Sequence, residues 1–142
     1  MTDTYIWQKI RLRFLEVIQK FDEEKGHAEP STVIEPNDTD TRPENKLWFE
    51  IFPLHSSPFQ QELGMSGRNR WNFGLQININ SPKARGTYDI DEAYDFICAS
   101  FKRGDIFDGI RVNQSAYRSS ARTYEDFYSV PVTVMVQADL EN

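Results

Sequence analysis

The sequence predicts an α+β fold in which two helices pack on one face of a mainly antiparallel sheet of about four strands. Two segments repeat apolar residues at helical spacing, and two long segments alternate apolar and polar residues with a period of two. The element order α-β-β-α-β-β contains too few β-α-β alternations for a parallel sheet, which favours antiparallel pairing. The length of 142 residues fits one domain, 1–142.

The composition is that of a globular protein, and it narrows the functional classes. Aromatic residues make up 13% and charged residues 27% of the chain, which leaves enough large apolar side chains for a core. A net charge of −6 argues against nonspecific duplex binding, because such binding requires clustered Lys and Arg. No apolar run approaches the roughly 20 residues that cross a bilayer, and the N-terminus lacks a secretion-signal pattern. We therefore expect a soluble protein made in the cytosol.

The first helix is predicted over Asp3–Glu24, and Gly26 is expected to end it. Its apolar residues recur at steps of three or four and share one face: Ile6, Ile10, Phe14, Val17 and Phe21.

The second helix is predicted to begin near Asp89 and to end before Gly104. Asp89 followed by Glu92 resembles a capping box. Lys102 and Arg103 are expected to complement the negative end of the helix dipole. The predicted buried stripe is Ile90, Ala93, Ile97 and Phe101.

Four strands are predicted, and Ser31–Ile34 is a candidate for a further short strand. The four are Leu47–Phe52, Trp71–Asn80, Gly109–Tyr117 and Asp126–Ala138. The clearest is the second, in which large apolar residues alternate with Asn72, Gly74, Gln76, Asn78 and Asn80. One face of this strand is therefore expected in the core, and its amide face is expected to meet water or a polar partner.

The last strand contains Pro131, which has no backbone N–H and cannot donate to a sheet ladder. This strand is therefore expected to lie at a sheet edge or to be bulged at Pro131. An exposed edge promotes association unless a neighbouring subunit covers it, so Pro131 is a candidate assembly contact.

Two long loops are candidate partner contacts, a polar, proline-rich loop at 27–46 and a loop at Phe59–Arg70. The first is expected to be an extended excursion, since it has too few apolar residues to offset the entropy of ordering. The loops at both ends of the amide strand carry four basic residues: Arg68, Arg70, Lys83 and Arg85. With a net negative chain, ion pairs between subunits are favoured over nucleic-acid contacts for these residues.

Side chains that are capable of catalysis or metal binding show no recognisable spacing. His27 and His55 stand alone in loop sequence, and Cys98 is expected to be a small buried side chain on the second helix. The carboxylates at the start of that helix are explained by the helix dipole. The sequence predicts no catalytic, cofactor-binding or metal site.

The order and pattern of the elements resemble a known family over most of the chain. The matching segments after the first helix are Leu47–Ile51, Trp71–Ile79, the helical pattern Ala93-x-x-Phe96-Ile97, Ile110–Val112 and Phe127–Val132. This arrangement resembles the tail-terminator proteins of long-tailed phages, of the lambda type, and a related prophage minor tail protein.

The resemblance implies a structural protein at the tail end of the virion, assembled in the host cytoplasm and without catalytic activity. Family members form a six-fold ring that caps the tail tube, stops its polymerisation and provides the head-joining surface. The implied partners are other copies of the chain, the tail-tube protein and the head–tail connector protein, with no membrane and no direct nucleic-acid recognition. The candidate assembly contacts are Arg68, Arg70, Asn72, Gln76, Asn78, Lys83, Arg85 and Pro131.

The sequence leaves two other functions open. Another phage neck or head-completion protein would share the small size and the ring assembly. A small α+β ligand-binding or adaptor domain would instead use an apolar pocket or a sheet edge.

Overall fold

The computed structural model describes residues 3–38, 42–43, 45–54, 59–60, 68–83 and 86–141, with the backbone alone at 3, 59–60, 68–70 and 139–141. These residues form an α+β fold with two helices and one sheet. The elements in chain order are α1 (Asp3–Lys25), β1 (Thr32–Ile34), β2 (Trp48–Leu54), β3 (Phe59–Gln60), β4 (Arg68–Pro82), α2 (Tyr88–Ser100), β5 (Ile106–Phe107), β6 (Ile110–Arg118), β7 (Arg122–Thr123) and β8 (Phe127–Glu141).

Helix α1 matches its predicted range to within one residue and ends in a defined cap. Its predicted stripe is buried, with no more than 3% exposure at Ile6, Ile10, Phe14, Val17 and Phe21. Gly26 adopts a φ of +68°, where a Cβ is disfavoured, and its N–H donates to the carbonyl oxygen of Glu23 at 3.2 Å. His27 N–H donates to the carbonyl oxygen of Asp22 at 3.0 Å, which completes a Schellman motif.

Helix α2 begins one residue earlier than predicted, and the predicted capping box is wrong. Thr87 is the N-cap, and its side chain makes no capping hydrogen bond. Asp89 lies inside the first turn, where its negative charge is favoured by the helix dipole. The helix ends at Ser100, so Lys102 and Arg103 lie beyond its last turn. The predicted stripe is buried as expected at Ile90, Ala93, Ile97 and Phe101.

The sheet contains eight strands, which corrects the predicted count of about four. Its order is β1-β2-β4-β8-β6-β5, with β3 paired to β4 and β7 paired to β8. The four predicted strands are β2, β4, β6 and β8. The strands β3, β5 and β7 have 2 residues each, too few to show a period-two pattern. All pairs are antiparallel except β1 with β2, so the sheet is mixed.

Strands β4 and β8 form the centre of the sheet and pair along their full lengths of 15 residues. The side chains that they direct toward the helices are buried: Phe73, Leu75, Ile77, Ile79, Val130, Val132, Val134 and Val136. These residues join the apolar stripes of α1 and α2 in one core. Both helices therefore cover the same face of the sheet, as predicted.

Pro131 lies inside the sheet and not at an edge, which corrects one of the two predicted alternatives. Strand β8 pairs with β4 on one side and with β6 and β7 on the other. The β6 ladder ends at Val132, the β7 ladder begins at Ser129, and Pro131 lies between them. Its carbonyl oxygen accepts a 2.9 Å hydrogen bond from Ser119 N–H on that side. Because the N and C=O of one strand residue point the same way, the missing N–H faces this gap and leaves the β4 ladder intact.

Candidate assembly surface

The sheet face opposite the helices brings together four of the predicted assembly contacts. Strand register aligns outward side chains in rows across the sheet, such as the row of Phe52, Gln76, Thr133 and Tyr117. Asn78 and Pro131 occupy the next row on one side, and Asn72 lies two rows away on the other side. We call this surface the uncharged face, and it consists of Phe52, Leu54, Asn72, Gly74, Gln76, Asn78, Gln114, Tyr117, Pro131, Thr133, Met135 and Gln137.

The twelve residues of the uncharged face include no Asp, Glu, Lys or Arg, and the charged members of its rows, Glu50 and Arg111, are taken as its borders. Charges begin at its borders, where Glu50 is paired with Asn78 and Arg111 with Gln137 in the strand register. Three apolar side chains are exposed on it, with 38% at Phe52, 37% at Leu54 and 42% at Tyr117. Exposed apolar groups among amides, without charge, are typical of the core of a protein–protein interface.

The amides of the uncharged face retain hydrogen-bonding capacity for a partner. Gln76 Nε2 donates to Asn78 Oδ1 at 3.2 Å, and both residues are half-buried. Each carboxamide has two N–H donors and an oxygen with two lone pairs, so this single bond leaves further donors and acceptors. The face therefore suits a neutral surface with polar and apolar groups better than a polyanion.

Gly74 lies at the middle of the uncharged face and allows its neighbours to close over it. A Cβ at this position would lie 3.0 Å from Leu54 Cβ and 3.1 Å from Met135 Sδ. The absence of a side chain therefore lets Leu54 and Met135 approach each other across β4, which makes this part of the face continuous and apolar.

The basic residues that were predicted as assembly contacts at the two ends of the amide strand lie at opposite ends of β4, as far as the described residues show. Arg85 lies outside the described residues, and Lys83 is exposed in the turn after β4. Arg68 and Arg70 lie at the opposite end of β4, about 45 Å away at the usual rise of a strand. The register pairs both with acidic residues of β8, Arg68 with Glu141 and Arg70 with Asp139. Ion pairs between subunits at these residues stay a prediction.

Both long edges of the sheet are protected in the part of the chain that the structure describes. Strand β1 pairs with Trp48–Glu50, and the stretch of β2 beyond it contains Pro53, which has no N–H. On the other side, α2 lies against β6, where Cys98 Sγ is 3.8 Å from the carbonyl oxygen of Ala116. Cys98 is half-buried there. A proline and a covering helix both oppose the addition of a foreign strand, so the face is the more accessible surface.

A polar cluster that the sequence reasoning missed lies at the end of α1. The nearly buried carboxylate of Asp22 lies 2.6 Å from His27 Nδ1 and accepts hydrogen bonds from Ser31 N–H at 2.8 Å and Ser31 Oγ at 2.5 Å. Burial alone would raise the pKa of Asp22, but the Ser31 hydrogen bonds and the His27 contact outweigh it, so the pKa is lowered. The available signal was a carboxylate near a helix C-terminus, where the dipole disfavours negative charge.

An open cleft of about 510 Å³ lies beside this cluster, with Phe21, Leu47 and His27 among its lining residues. The Ser31 hydroxyl bonds to Asp22 and not to the imidazole of His27. A serine that is activated by a histidine needs the hydroxyl on the imidazole, with the carboxylate behind it. The cluster therefore differs from a nucleophile–base arrangement, and it connects the chain after α1 to the helix.

The described part of the polar segment 27–46 is tied to the body of the protein, which corrects the expected extended excursion. The Asp22 cluster holds its beginning. Arg11 Nη1 lies 2.7 Å from Glu35 Oε1 and holds the residue that follows β1. Near the end of the segment, Lys46 Nζ lies 3.7 Å from Glu29 Oε2. The described part of the segment therefore covers the end of α1 and one sheet edge.

No group of three or more His, Cys, Asp or Glu side chains is placed to hold a metal ion in the described part of the chain. Neither helix there is apolar enough over a sufficient length to cross a membrane. His55 lies outside the described residues.

Comparisons with known proteins support the fold. No protein-family model matches the chain, and no curated protein matches it. Ten chains of solved structures do match it. One of them covers 100% of this chain and 97% of its own length, with a TM-score of 0.71 and 16% sequence identity. At this identity, the likeness shows a shared fold alone.

Proposed function

We propose that this protein is a ring-forming structural subunit of a phage or prophage tail, of the tail-terminator kind. In this function it caps the tail tube, stops its polymerisation and provides the surface that joins the head. Its partners are other copies of itself, the tail-tube protein and the head–tail connector protein. Two things support the proposal: the resemblance in element order, and a broad uncharged sheet face that the two helices leave uncovered.

The uncharged face has the properties that one side of a ring contact requires. In a closed ring, a patch on each subunit meets a different patch on the next subunit. The register of four long strands holds this face rigid, so little conformational entropy is lost when it docks. Phe52, Leu54 and Tyr117 release apolar surface from water on contact, at about 25 cal/mol per Å².

The uncharged face is large enough for the centre of the proposed contact and too small for a whole stable interface. Four strands spaced about 4.8 Å apart, with about six residues of each, give a footprint of roughly 300 Å². Stable interfaces bury about 800 Å² on each partner. The surrounding rim must therefore contribute, and Glu50 and Arg111 at the borders supply charges of opposite sign there.

The substitution Gln76→Glu tests this use of the face. It adds a negative charge with little change of shape at the centre of the surface. An unpaired charge is strongly unfavourable in an interface, so we expect rings on tube ends to disappear while the monomer stays folded. Mass measured across a range of concentrations, with electron microscopy of tail-tube ends, reads out the change.

The matched control is Gln19→Glu, which adds the same charge on the exposed side of α1. This variant should form rings like the unsubstituted protein. Rings formed equally well by Gln76→Glu would show that the ring contact lies elsewhere. Failure of the unsubstituted protein to form rings, with or without tail tubes, would refute the tail function itself.

The cleft beside α1 favours a second candidate function, a small-ligand-binding domain. Its volume of about 510 Å³ lies in the range of small-molecule sites, and Phe21 and Leu47 give it apolar walls. This alternative predicts a monomer at all concentrations and normal ligand binding in Gln76→Glu. Ligand-induced NMR shifts confined to residues that line the cleft would support it over the ring.

A further inference from the structure

Two buried polar atoms at one end of the sheet have no hydrogen-bond partner among the residues that the structure describes. They are the indole Nε1–H of Trp48 and the side-chain Oδ1 of Asn80. These residues are 3% and 0% exposed. The first atom is a donor and the second an acceptor, and burial of either without a partner is unfavourable.

The two side chains lie side by side on the face opposite the helices. Trp48 on β2 is the register partner of Asn80 on β4. The Trp48 ring contacts the ring of Phe127 on β8, with 5.2 Å between centroids. Because β4 runs between β2 and β8, this contact carries the rings over β4 near Asn80. The indole therefore lies beside Asn80, which is completely buried.

A neighbouring carboxylate orients the amide, and further side chains pack on the Phe127 ring. Asn80 Nδ2 donates to Glu50 Oε1 at 2.8 Å, which identifies the amide nitrogen, since a carboxylate is an acceptor. Oδ1 therefore points away from Glu50. Above the sheet, Tyr124 stacks on Phe127 at 4.5 Å, and the Arg42 guanidinium lies 5.0 Å from the centre of the same ring.

We propose that a single ordered water molecule binds at this buried site, where it accepts a hydrogen bond from Trp48 Nε1–H and donates one to Asn80 Oδ1. Water can make both bonds at once, whereas the two atoms do not bond to each other in the structure. The water links β2 to β4 where the chain returns from segment 27–46 to the sheet. The site is independent of the proposed tail function.

A high-resolution crystal structure of the unsubstituted protein is the direct test. We expect electron density for one water within hydrogen-bond distance of both Trp48 Nε1 and Asn80 Oδ1. A direct bond between these two atoms would overturn the proposal, and so would a side chain of another molecule in the same place.

A double-mutant cycle with Trp48→Phe and Asn80→Ala gives an independent readout in solution. Each single variant removes one of the two groups that hold the water and leaves the other unpaired. Each variant lowers the folding equilibrium constant by some factor. We expect the factor for the double variant to be smaller, by about threefold or more, than the product of the factors for the two single variants. Strict additivity would overturn the proposal.

The matched control cycle combines Trp48→Phe with Asn78→Ala. Asn78 lies one step further along the same face of β4 and bonds to Gln76. This pair should be additive. Should Trp48→Phe fail to fold, the crystal structure of the unsubstituted protein still decides the question.

Discussion

The two faces of the central strands share one backbone and differ in what covers them. On the helix side, Phe73, Leu75 and Ile77 are completely buried in the core. On the opposite side, the alternating residues Gln76 and Asn78 stay half-buried and bond to each other. A period of two therefore places the groups that stabilise the fold and the groups available for association on separate surfaces of the same strand.

The outward face itself divides into two regions. Its middle is the uncharged face, open to a partner. Its end is a second small core in which Trp48, Asn80 and Phe127 are buried. Asn80 was expected on the amide face in contact with water or a partner, and its 0% exposure corrects this. The aromatic rings of β2 and β8 meet over β4 there. Asn80 is therefore buried, although it lies on the same face of β4 as Gln76 and Asn78.

The largest expected effect compares Phe49 with Phe52, two phenylalanines of β2 on opposite faces. Phe49→Ala should lower the free energy of unfolding by about 3–5 kcal/mol, because a fully buried ring is replaced by a cavity. Phe52→Ala should cost about 1 kcal/mol, because its ring is already 38% exposed. Urea denaturation of both variants measures the difference, and similar losses would contradict the division between the faces.

Asp22→Asn tests the Asp22 cluster, which holds the chain after α1 on the helix side of the sheet. We expect a loss of about 1–3 kcal/mol at neutral pH, since a nearly buried carboxylate with several partners is replaced. The pKa of Asp22 is lowered in the folded state, so its contribution is present above the unfolded pKa and lost as pH falls through the folded pKa.

The difference between Asp22→Asn and the unsubstituted protein should therefore shrink in acid, below the ordinary Asp pKa of about 3.9. Urea denaturation at a series of pH values measures this. The control is Asp126→Asn, at an exposed aspartate, which should show little difference at any pH. A difference for Asp22→Asn that stays constant into strong acid would argue against this role of the Asp22 cluster.

Gly74→Ala should destabilise the protein, although Gly74 lies on the uncharged face. The new Cβ would lie 3.0 Å from Leu54 Cβ and 3.1 Å from Met135 Sδ, so we expect a loss of about 1 kcal/mol. The same change in a Leu54→Ala background should cost less, because Leu54 Cδ1, which would also lie 3.0 Å from the new Cβ, is removed. Thermal unfolding of the two pairs of proteins checks this, and an equal penalty in both backgrounds would show that the contact with Leu54 Cδ1 is not the cause.

The smallest effect is expected at Arg11, whose ion pair with Glu35 holds segment 27–46 on the helix side. Both side chains are partly exposed, so Arg11→Met should cost about 0.2–1 kcal/mol. The loss should diminish as salt is added, because exposed charges are screened. Urea denaturation at low and high salt measures it, and a loss that salt does not change would point to packing of the arginine stem.

Sequence reasoning recovered the features that local periodicity encodes. The buried stripe of α1, the stripe of α2 and the alternation in β4 each depend on residues that are near one another in the chain. The strands of two residues and the mixed sheet were missed, because they are defined by their pairing partners. The Asp22 cluster was missed for a related reason. It forms only because the chain after α1 turns back and brings His27 and Ser31 to the Asp22 carboxylate.

The candidate surface was predicted in part. Asn72, Gln76 and Asn78 follow from the alternation within β4, but Tyr117 could not be placed beside them. Two register irregularities between β6 and β8 shift the pairing, so that Tyr117 lies beside Thr133 and not beside Pro131. A bulge alters which side chains face outward, and the sequence of one strand does not show it.

The sequence by itself determined the two helices, the four long strands and the separation of apolar from amide side chains along β4. These follow from helical and strand geometry, which acts over a few residues. Tertiary structure alone decided that Pro131 lies inside the sheet, that Asn80 is buried, and that side chains of β2, β4, β8 and β6 form one uncharged face. The physical reason is that burial and pairing depend on strands that are distant in sequence, and their register is set when the whole core packs.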